Sequence, residues 1–365
     1  GPVTVEITDG DESVLDEDLT ISDDDVVSII FGTKTASDEY ISAINALAEQ
    51  DGLSSITGTL NSIDADMVGD FSADLDSNNS TITLNMKTNS DGTLNVSDAF
   101  GLLSHTDTDN AVVNFGGGVS DVLSAFASTS DATDNLKALY AEDNDLAITI
   151  SGIDSDGTDL SSADHVTAVN EIAALFDASG TGSITASITA AKSVLLDDNG
   201  DATLDTTSDA GDTITISISN AVSPDEWATI NATTDGTVTA AGNFEGALSE
   251  FAGADGISDN WNTAVTANPA KSVTITNDKL TTSDEISALN HIASDDTHTG
   301  NGSTITATIE ANLATIDVNN LDTDSNDDID ITITGALDGD NISTVNSIKG
   351  KTDGVISIPD GITAS

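Results

Sequence analysis

Short Asp-rich loops contain the residues of this chain that are best suited to bind a metal ion. In each loop the oxygen-bearing side chains stand at alternate positions, and such side chains can converge on one hard cation at about 2.4 Å. The candidate ligands are Asp197, Asn199, Asp201, Asp322, Asp324, Asn326, Asp74 and Asp76. The loops that start at Asp197 and Asp322 lack the Gly and Glu of an EF-hand. We therefore expect Ca²⁺ in Asp-rich loops, and a solvated acidic turn is the alternative interpretation.

The charge of the chain restricts its partners. The chain has 8 Lys and Arg residues against 64 Asp and Glu residues, a formal net charge of −56. Binding to nucleic acid or to an anionic membrane surface depends on basic side chains, so we expect neither. No apolar run is long enough to insert into a bilayer. Asp outnumbers Glu by 52 to 12, which favours turns and calcium loops but also fits a solvated acidic surface in concentrated salt.

Few residues are arranged as catalytic groups. The absence of Cys excludes thiolate chemistry and disulfides, and no nucleophile-elbow or phosphate-loop phrase is present. His165 stands where related phrases have Glu39 and Glu285, so we expect an exposed side chain. Trp227 stands where an earlier helix pattern has Phe100, so we expect a core residue. We expect a protein without enzymatic activity.

A repeat of about 120 residues organises the chain. Asn45, Asn170 and Asn290 stand in the same phrase, Ala-x-Asn-x-Leu/Ile-Ala, at spacings of 125 and 120 residues. Each phrase has the pattern of an amphipathic helix and leads into a strand pattern rich in Thr and Ile. Repeats on this scale are typical of arrays and solenoids.

Helix patterns alternate with strand patterns inside each repeat. One helix is predicted to start at Ser223, followed by Pro224 and by Glu226 at the capping-box position. Strands separated by helices pair in parallel, and an aromatic content of 3% predicts a thin core. We expect an α/β fold, an elongated repeat solenoid of short helix–strand rungs with a parallel sheet; three tandem α/β domains are the alternative. The predicted parts are a partial preceding repeat at 1–32 and modules at 33–157, 158–279 and 280–365, the last one truncated.

Thr-x-Thr pairs recur in the predicted strands. They are Thr57/Thr59, Thr213/Thr215, Thr237/Thr239, Thr274/Thr276, Thr304/Thr306 and Thr332/Thr334. Stacked in a parallel sheet, these pairs would form a flat Thr surface suited to carbohydrate or ice. Thr is also a good strand former whose hydroxyl suits a solvated face. An adhesin module is therefore the second function class that we consider.

The Ala-x-Asn-x-Leu/Ile-Ala helices and the phrase from Ile342 to Ile356 carry a family resemblance. The chain resembles the Asp/Thr/Ala-rich repeats of giant secreted bacterial cell-surface proteins, including S-layer-like proteins and RTX-associated calcium-dependent adhesins. It lacks the glycine-rich nonapeptide of true RTX rolls. The resemblance implies an extracellular location, a structural or adhesive role and dependence on divalent cations. The implied partners are other copies or repeats of the same surface protein, and glycans.

Overall fold

The computed structural model describes residues 3–6, 27–50, 53–63, 67, 81–86, 94–105, 112–114, 118–142, 145–153, 156–177, 182–206, 211–294, 303–317 and 321–363. The chain divides into two compact units. Unit 1 comprises Gly1–Asp159, Thr167–Ala186 and Ser208–Thr213. Unit 2 comprises Leu160–Val166, Ser187–Thr207 and Ile214–Ser365.

Unit 1 is built on parallel strands. Its five-stranded sheet follows the order of the chain: β1 (Val3–Glu6), β2 (Val27–Thr35), β3 (Leu53–Ile63), β4 (Thr81–Met86) and β5 (Val112–Asn114). A second parallel group joins β6 (Val119–Asp121), β7 (Ala147–Ile150) and the start of β8 (Ser183–Ala190). The helices are α1 (Asp38–Ala48), α2 (Val96–His105), α3 (Leu123–Phe126), α4 (Asp134–Glu142) and α5 (Ala163–Asp177). The boundary between the units passes through α5 and β8.

Unit 2 has the same kind of architecture. Its strands after β8 are β9 (Thr213–Ile218), β10 (Val238–Ala240), β11 (Phe244–Gly246), β12 (Ala252–Gly253), β13 (Gly256–Ile257), β14 (Val273–Ile275), β15 (Ile305–Ala311), β16 (Asp328–Ile333), β17 (Leu337–Asp338), β18 (Ile356–Ser357) and β19 (Ile362–Thr363). Its helices are α6 (Lys192–Leu195), α7 (Pro224–Asn231), α8 (Leu248–Phe251), α9 (Asp259–Ala267), α10 (Ser283–Ala293), α11 (Leu313–Ile316) and α12 (Ile342–Lys349), and a 3₁₀ turn covers Gly339–Asn341. One sheet has the parallel order β11-β14-β15-β16-β18. Of the strand pairs described in unit 2, β12 with β13 is antiparallel.

The predicted α/β class is confirmed, with several separate parallel sheets. Asn45, Asn170 and Asn290 lie in α1, α5 and α10, and each helix is followed by a strand, β3, β8 or β15. The predicted start of α7 is also confirmed, because Ser223 and Glu226 form a reciprocal capping box. Separate sheets also fit tandem α/β domains. The module boundaries stay a prediction.

Apolar residues of alternating strands and of helix faces form the core of each unit. In β15 the even positions are exposed or half-buried and the odd ones, such as Ile305 and Ile309, are buried, as expected for a strand with one solvated face. Trp227 is 1% exposed, which confirms the predicted core position. Across the described residues, no helix combines the length and apolar character needed to cross a membrane.

Candidate functional site

Buried carboxylates at the starts of strands are the most regular polar feature of the structure. Asp212 and Asp327 are 3% and 7% exposed and stand directly before β9 and β16. Asp212 Oδ1 accepts the N–H of Ile184 at 2.7 Å, and Asp327 Oδ1 accepts the N–H of Ile305 at 2.8 Å. Both amides belong to the start of the preceding long strand, β8 or β15. An unpaired amide in the interior would be costly, so each carboxylate serves as a structural cap.

Threonine hydroxyls make an equivalent contact at the next strand. Thr234 Oγ1 accepts the N–H of Ile214 and donates to its carbonyl oxygen, each at 2.9 Å. Thr352 Oγ1 accepts the N–H of Ile329 at 2.9 Å and donates to its carbonyl at 2.8 Å. In both cases the hydroxyl also accepts the N–H of the glycine two residues further along. The same arrangement of hydrogen bonds therefore occurs twice in unit 2.

Those glycines permit a close approach of two backbones. A Cβ on Gly236 would lie 2.3 Å from the carbonyl oxygen of Ile214, and a Cβ on Gly354 would lie 2.3 Å from that of Ile329. Both contacts are far inside van der Waals distance and involve backbone atoms. Glycine is required at both positions because no side chain fits there.

The loop from Asp197 to Asp201 is the tip of a small hairpin. Leu196 and Ala202 form an antiparallel bridge at its base. Asp197 Oδ1 accepts the N–H of Asn199 at 2.8 Å and that of Asp201 at 3.0 Å. These backbone donors, that of Asp201 first, lower the pKa of Asp197 below its ordinary value. Its carboxylate therefore organises the turn.

The loop from Asp322 to Asn326 is organised differently. Asp324 Oδ1 accepts the N–H of Asn326 at 2.6 Å, while Asp324 N–H donates to Asp327 Oδ2 at 2.9 Å. The N–H of Asp322 donates to the Oδ1 of Asn290 in α10 at 3.0 Å. Here the turn leads directly into the buried cap of β16.

The two Asp loops do not occupy equivalent places. The buried Leu321 and Thr323 flank Asp322, and the same Leu-Asp-Thr sequence recurs at Leu204–Thr206, with both ends buried, after the Asp197 hairpin. The hairpin at Asp197 instead matches the bridged turns Ala127–Ala132 and Ala252–Ile257, which also follow four-residue helices. Alternating Asp residues thus arose in two unrelated turns.

The predicted calcium ligands are not gathered into a cage in the described part of the chain. No group of three or more His, Asp or Glu side chains there is placed to hold a metal ion. One carboxylate oxygen of Asp197 accepts hydrogen bonds from backbone amides, and the other accepts one from Asn199 Nδ2 at 3.1 Å. Asp74 and Asp76 lie outside the described residues. Calcium binding stays a prediction.

His165 and Glu285 cap the starts of two equivalent helices. In α10, Glu285 accepts the N–H groups of Thr281 and Thr282 at 2.8 and 2.9 Å, and these donors, that of Thr281 first, lower its pKa. At the start of α5, His165 Nδ1 takes the same position and accepts the N–H of Ser161 at 3.1 Å. The predicted exposed position of His165 is wrong, because the side chain is half-buried and its ring takes the place of a capping carboxylate.

A polar network joins three helices of unit 2. Lys192 Nζ in α6 lies 2.9 and 2.8 Å from the two carboxylate oxygens of Glu226 in α7. Glu226 Oε2 also accepts the N–H of Ser223, whose hydroxyl donates to Glu250 Oε1 in α8 at 2.9 Å. Glu250 Oε2 in turn accepts the N–H of Ala247 at 2.7 Å. Each group in this network is occupied by a capping or pairing contact.

Threonine rows form only in part. In unit 1, Thr59 stands between Thr33 and Thr83 across three parallel strands. In unit 2, Thr306 is next to Thr274 on one side but next to Asp328 on the other, so that row includes a carboxylate. The Thr row of the first sheet is therefore continuous over three strands and ends at Val112 of β5, whereas Asp328 interrupts the row in the last sheet.

Comparisons with known proteins add no identification. No family model, no curated protein and no solved structure matches this chain.

Proposed function

We propose that this chain is a non-enzymatic structural repeat segment of a large extracellular cell-surface protein of the S-layer type. The observation that supports this proposal most is the repeated use of polar side chains as strand caps. Asp212 and Asp327 perform one role, and Thr234 and Thr352 perform another, at matching places of successive repeats. In a chain of this kind the buried polar side chains hydrogen-bond one strand to the next, which suits a scaffold.

The elongated solenoid belongs to this proposal, with tandem α/β domains as the alternative. A repeat solenoid stacks its rungs along one axis and is longer than a compact globule of the same mass. A compact globule of 365 residues has a radius of gyration of about 21 Å and a symmetrical distribution of interatomic distances. Small-angle X-ray scattering separates these cases. A skewed distribution with a long tail supports the stalk, and a symmetrical, shorter one contradicts it.

Calcium remains the cation that we propose for stiffening the stalk. Its support is chemical: 64 acidic residues repel one another, and the exposed Asp loops offer oxygen atoms to a hard cation. Thermal melts in about 5 mM Ca²⁺, in EDTA and in NaCl of matched ionic strength test this point. A site with a Kd of about 0.1–1 mM would add roughly 1–2 kcal/mol at that concentration. Equal midpoints in Ca²⁺ and in matched NaCl would show that the acidic surface is merely screened.

The Thr row of unit 1 favours one other function. Thr33, Thr59 and Thr83 are adjacent on three strands, which is the arrangement that an ice-binding or carbohydrate-binding face requires. An ice-recrystallisation assay and a glycan array test this adhesin function directly. Activity that is lost in Thr59→Val and kept in Thr274→Val would support it, because only Thr59 lies in the continuous row.

A further inference from the structure

The tip of the Asp197 hairpin carries an Asn-Gly step. Asn199 and Gly200 are both exposed, and they lie between the two ends of the Leu196–Ala202 bridge. Gly200 has a φ of +84°, and a Cβ placed on it would meet nothing within 4 Å. Because glycine has no side chain, residue 200 itself does not hinder the approach of its backbone nitrogen to the side chain of Asn199. The sequence has one other Asn-Gly step, at 301–302, which lies outside the described residues.

An Asn side chain followed by glycine can react with the backbone. The nitrogen of Gly200 attacks Cγ of Asn199 and forms a C–N bond, the nitrogen loses its proton, and the Cγ–Nδ2 bond breaks with release of ammonia. Water then opens the resulting five-membered succinimide ring at one of its two carbonyl carbons. The product at position 199 is an aspartyl or an isoaspartyl residue, and water is the co-reactant that is consumed.

Asp197 holds both reacting groups in the folded turn. The N–H of Gly200 donates to the backbone carbonyl oxygen of Asp197 at 3.0 Å, and Asn199 Nδ2 donates to Asp197 Oδ2 at 3.1 Å. Oδ1 of the same carboxylate accepts the N–H groups of Asn199 and Asp201 at 2.8 and 3.0 Å. The proton that must leave the nitrogen and the amino group that must leave Cγ are therefore both bound to residue 197. Ring closure requires these hydrogen bonds to open.

The base of the hairpin limits how often the tip opens. Leu195 and Leu196 are 1% and 7% exposed. Thr203 donates its N–H to the carbonyl oxygen of Leu195 at 2.9 Å and its hydroxyl to that of Val194 at 2.7 Å. When a slow reaction needs a rapid local opening, its rate follows the population of the open state. The contacts that close the turn therefore set the rate of the reaction at its tip.

We propose that Asn199 is a modification site, at which the chain converts its own asparagine to aspartate and isoaspartate at a rate set by the Asp197 turn. The conversion removes the Nδ2 donor to Asp197 Oδ2 and adds a negative charge to a tip that already has three Asp residues. Isoaspartate also inserts one methylene group into the backbone, which displaces the N–H of Asp201 from Asp197 Oδ1. The converted fraction rises with the age of the molecule, whether or not the chain is a scaffold.

The experiment incubates the full chain at mildly alkaline pH and follows residue 199 by proteolysis and tandem mass spectrometry. Replacement of NH2 by OH adds a defined mass, and isoaspartyl methyltransferase labels the isoaspartyl product. We expect slow conversion in the full chain, and conversion at least about fivefold faster in Asp197→Ala and in a synthetic peptide of residues 194–203. Faster amide hydrogen exchange at 200 and 201 should accompany the acceleration in Asp197→Ala.

Three further variants are matched controls. Asp198→Ala removes the neighbouring exposed carboxylate and should react like the unchanged chain. Asp197→Asn keeps an oxygen acceptor at position 197 and should react more slowly than Asp197→Ala. Asn199→Gln has a longer side chain that cannot close the five-membered ring, so it should show no conversion.

Three outcomes would contradict the proposal. An unchanged mass at position 199 in the full chain and in Asp197→Ala, under conditions that convert the peptide, would show that the folded protein is not modified there. Equal rates in the full chain and the peptide would show that the turn gives no protection. Equal rates in Asp197→Ala and Asp198→Ala would show that the carboxylate of Asp197 does not set the rate. The comparison of chain and peptide needs no variant, so it remains decisive if Asp197→Ala does not fold.

Discussion

The carboxylate of Asp327 accepts the backbone N–H of Ile305 at 2.8 Å, in a place where both residues are buried. Removing the acceptor leaves this interior amide unpaired, which costs about 1–3 kcal/mol. We therefore expect Asp327→Ala to lower the free energy of unfolding by that amount in a urea titration. Asp328→Ala changes an exposed neighbour and should stay within about 0.5 kcal/mol of the unchanged chain. Equal losses in the two variants would contradict the capping role.

Substitution of Gly236 tests whether the close approach of two backbones requires glycine. We expect Gly236→Ala to destabilise the protein by more than about 2 kcal/mol, because its Cβ would lie 2.3 Å from a carbonyl oxygen. Gly253→Ala is the matched control, since a Cβ there meets nothing within 4 Å. Thermal unfolding of the two variants should therefore give clearly different midpoints. A tolerated alanine at position 236 would mean that the strands can separate without loss.

The capping carboxylate of Glu285 predicts a pH dependence. Backbone donors lower its folded-state pKa below the ordinary value of 4.5, so its stabilising contribution is fully present above that value. The contribution is lost as the pH falls through the folded-state pKa. We expect Glu285→Gln to be less stable than the unchanged chain at neutral pH, with the difference shrinking on acidification. A difference that is constant with pH would exclude the carboxylate as the cause.

Substitutions of His165 test the capping position of α5, which is equivalent to that of Glu285 in α10. Replacing it by Glu restores the carboxylate that the equivalent helix α10 uses, and we expect about 0.5–1 kcal/mol of added stability at neutral pH. His165→Ala should instead lose a similar amount, because the N–H of Ser161 then has no side-chain acceptor from position 165. Urea titrations of the three proteins give the order. If the unchanged chain and His165→Ala are equally stable, the ring makes no capping contribution.

Variants of the Asp197 hairpin distinguish calcium binding from turn formation. Asp197→Asn combined with Asp201→Asn keeps an oxygen acceptor at position 197 for the turn but removes two charges. If the loop binds Ca²⁺, the melting midpoint should fall in Ca²⁺ and change little in EDTA. The same loss in both conditions would identify an ordinary acidic turn.

The regular elements of this fold were predictable from sequence, but the contacts between them were not. Phrases around Asn45, Asn170 and Asn290 recur with apolar residues at helical spacing, so periodicity alone located α1, α5 and α10. Asp212 and Asp327 were missed because composition alone does not separate buried from exposed residues among 52 Asp. A usable signal was present: both directly precede an alternating Ile strand at matching places of the repeat.

Spacing alone indicated the candidate metal ligands, and spacing does not fix where side-chain oxygens point. Alternate positions in a turn also suit a carboxylate that accepts the N–H groups two and four residues further along, as Asp197 does. The two uses compete for the same oxygens. Distinguishing them requires the backbone path, because a local hydrogen bond and a shared ligand set have the same sequence pattern.

The tips of the bridged turns can vary in sequence in a way that the strands cannot. The turn at Asp197–Asp201 is closed at its base by the Leu196–Ala202 bridge, and Ala127–Ala132 and Ala252–Ile257 close turns in the same way. The tips hold four or five residues, and the tip at 197–201 has three Asp where each of the other two has one, while the helix that precedes each tip has four residues. Such tips are permissive positions for grafted epitopes or reactive tags. One backbone can thus display several unrelated short peptides to the surrounding medium.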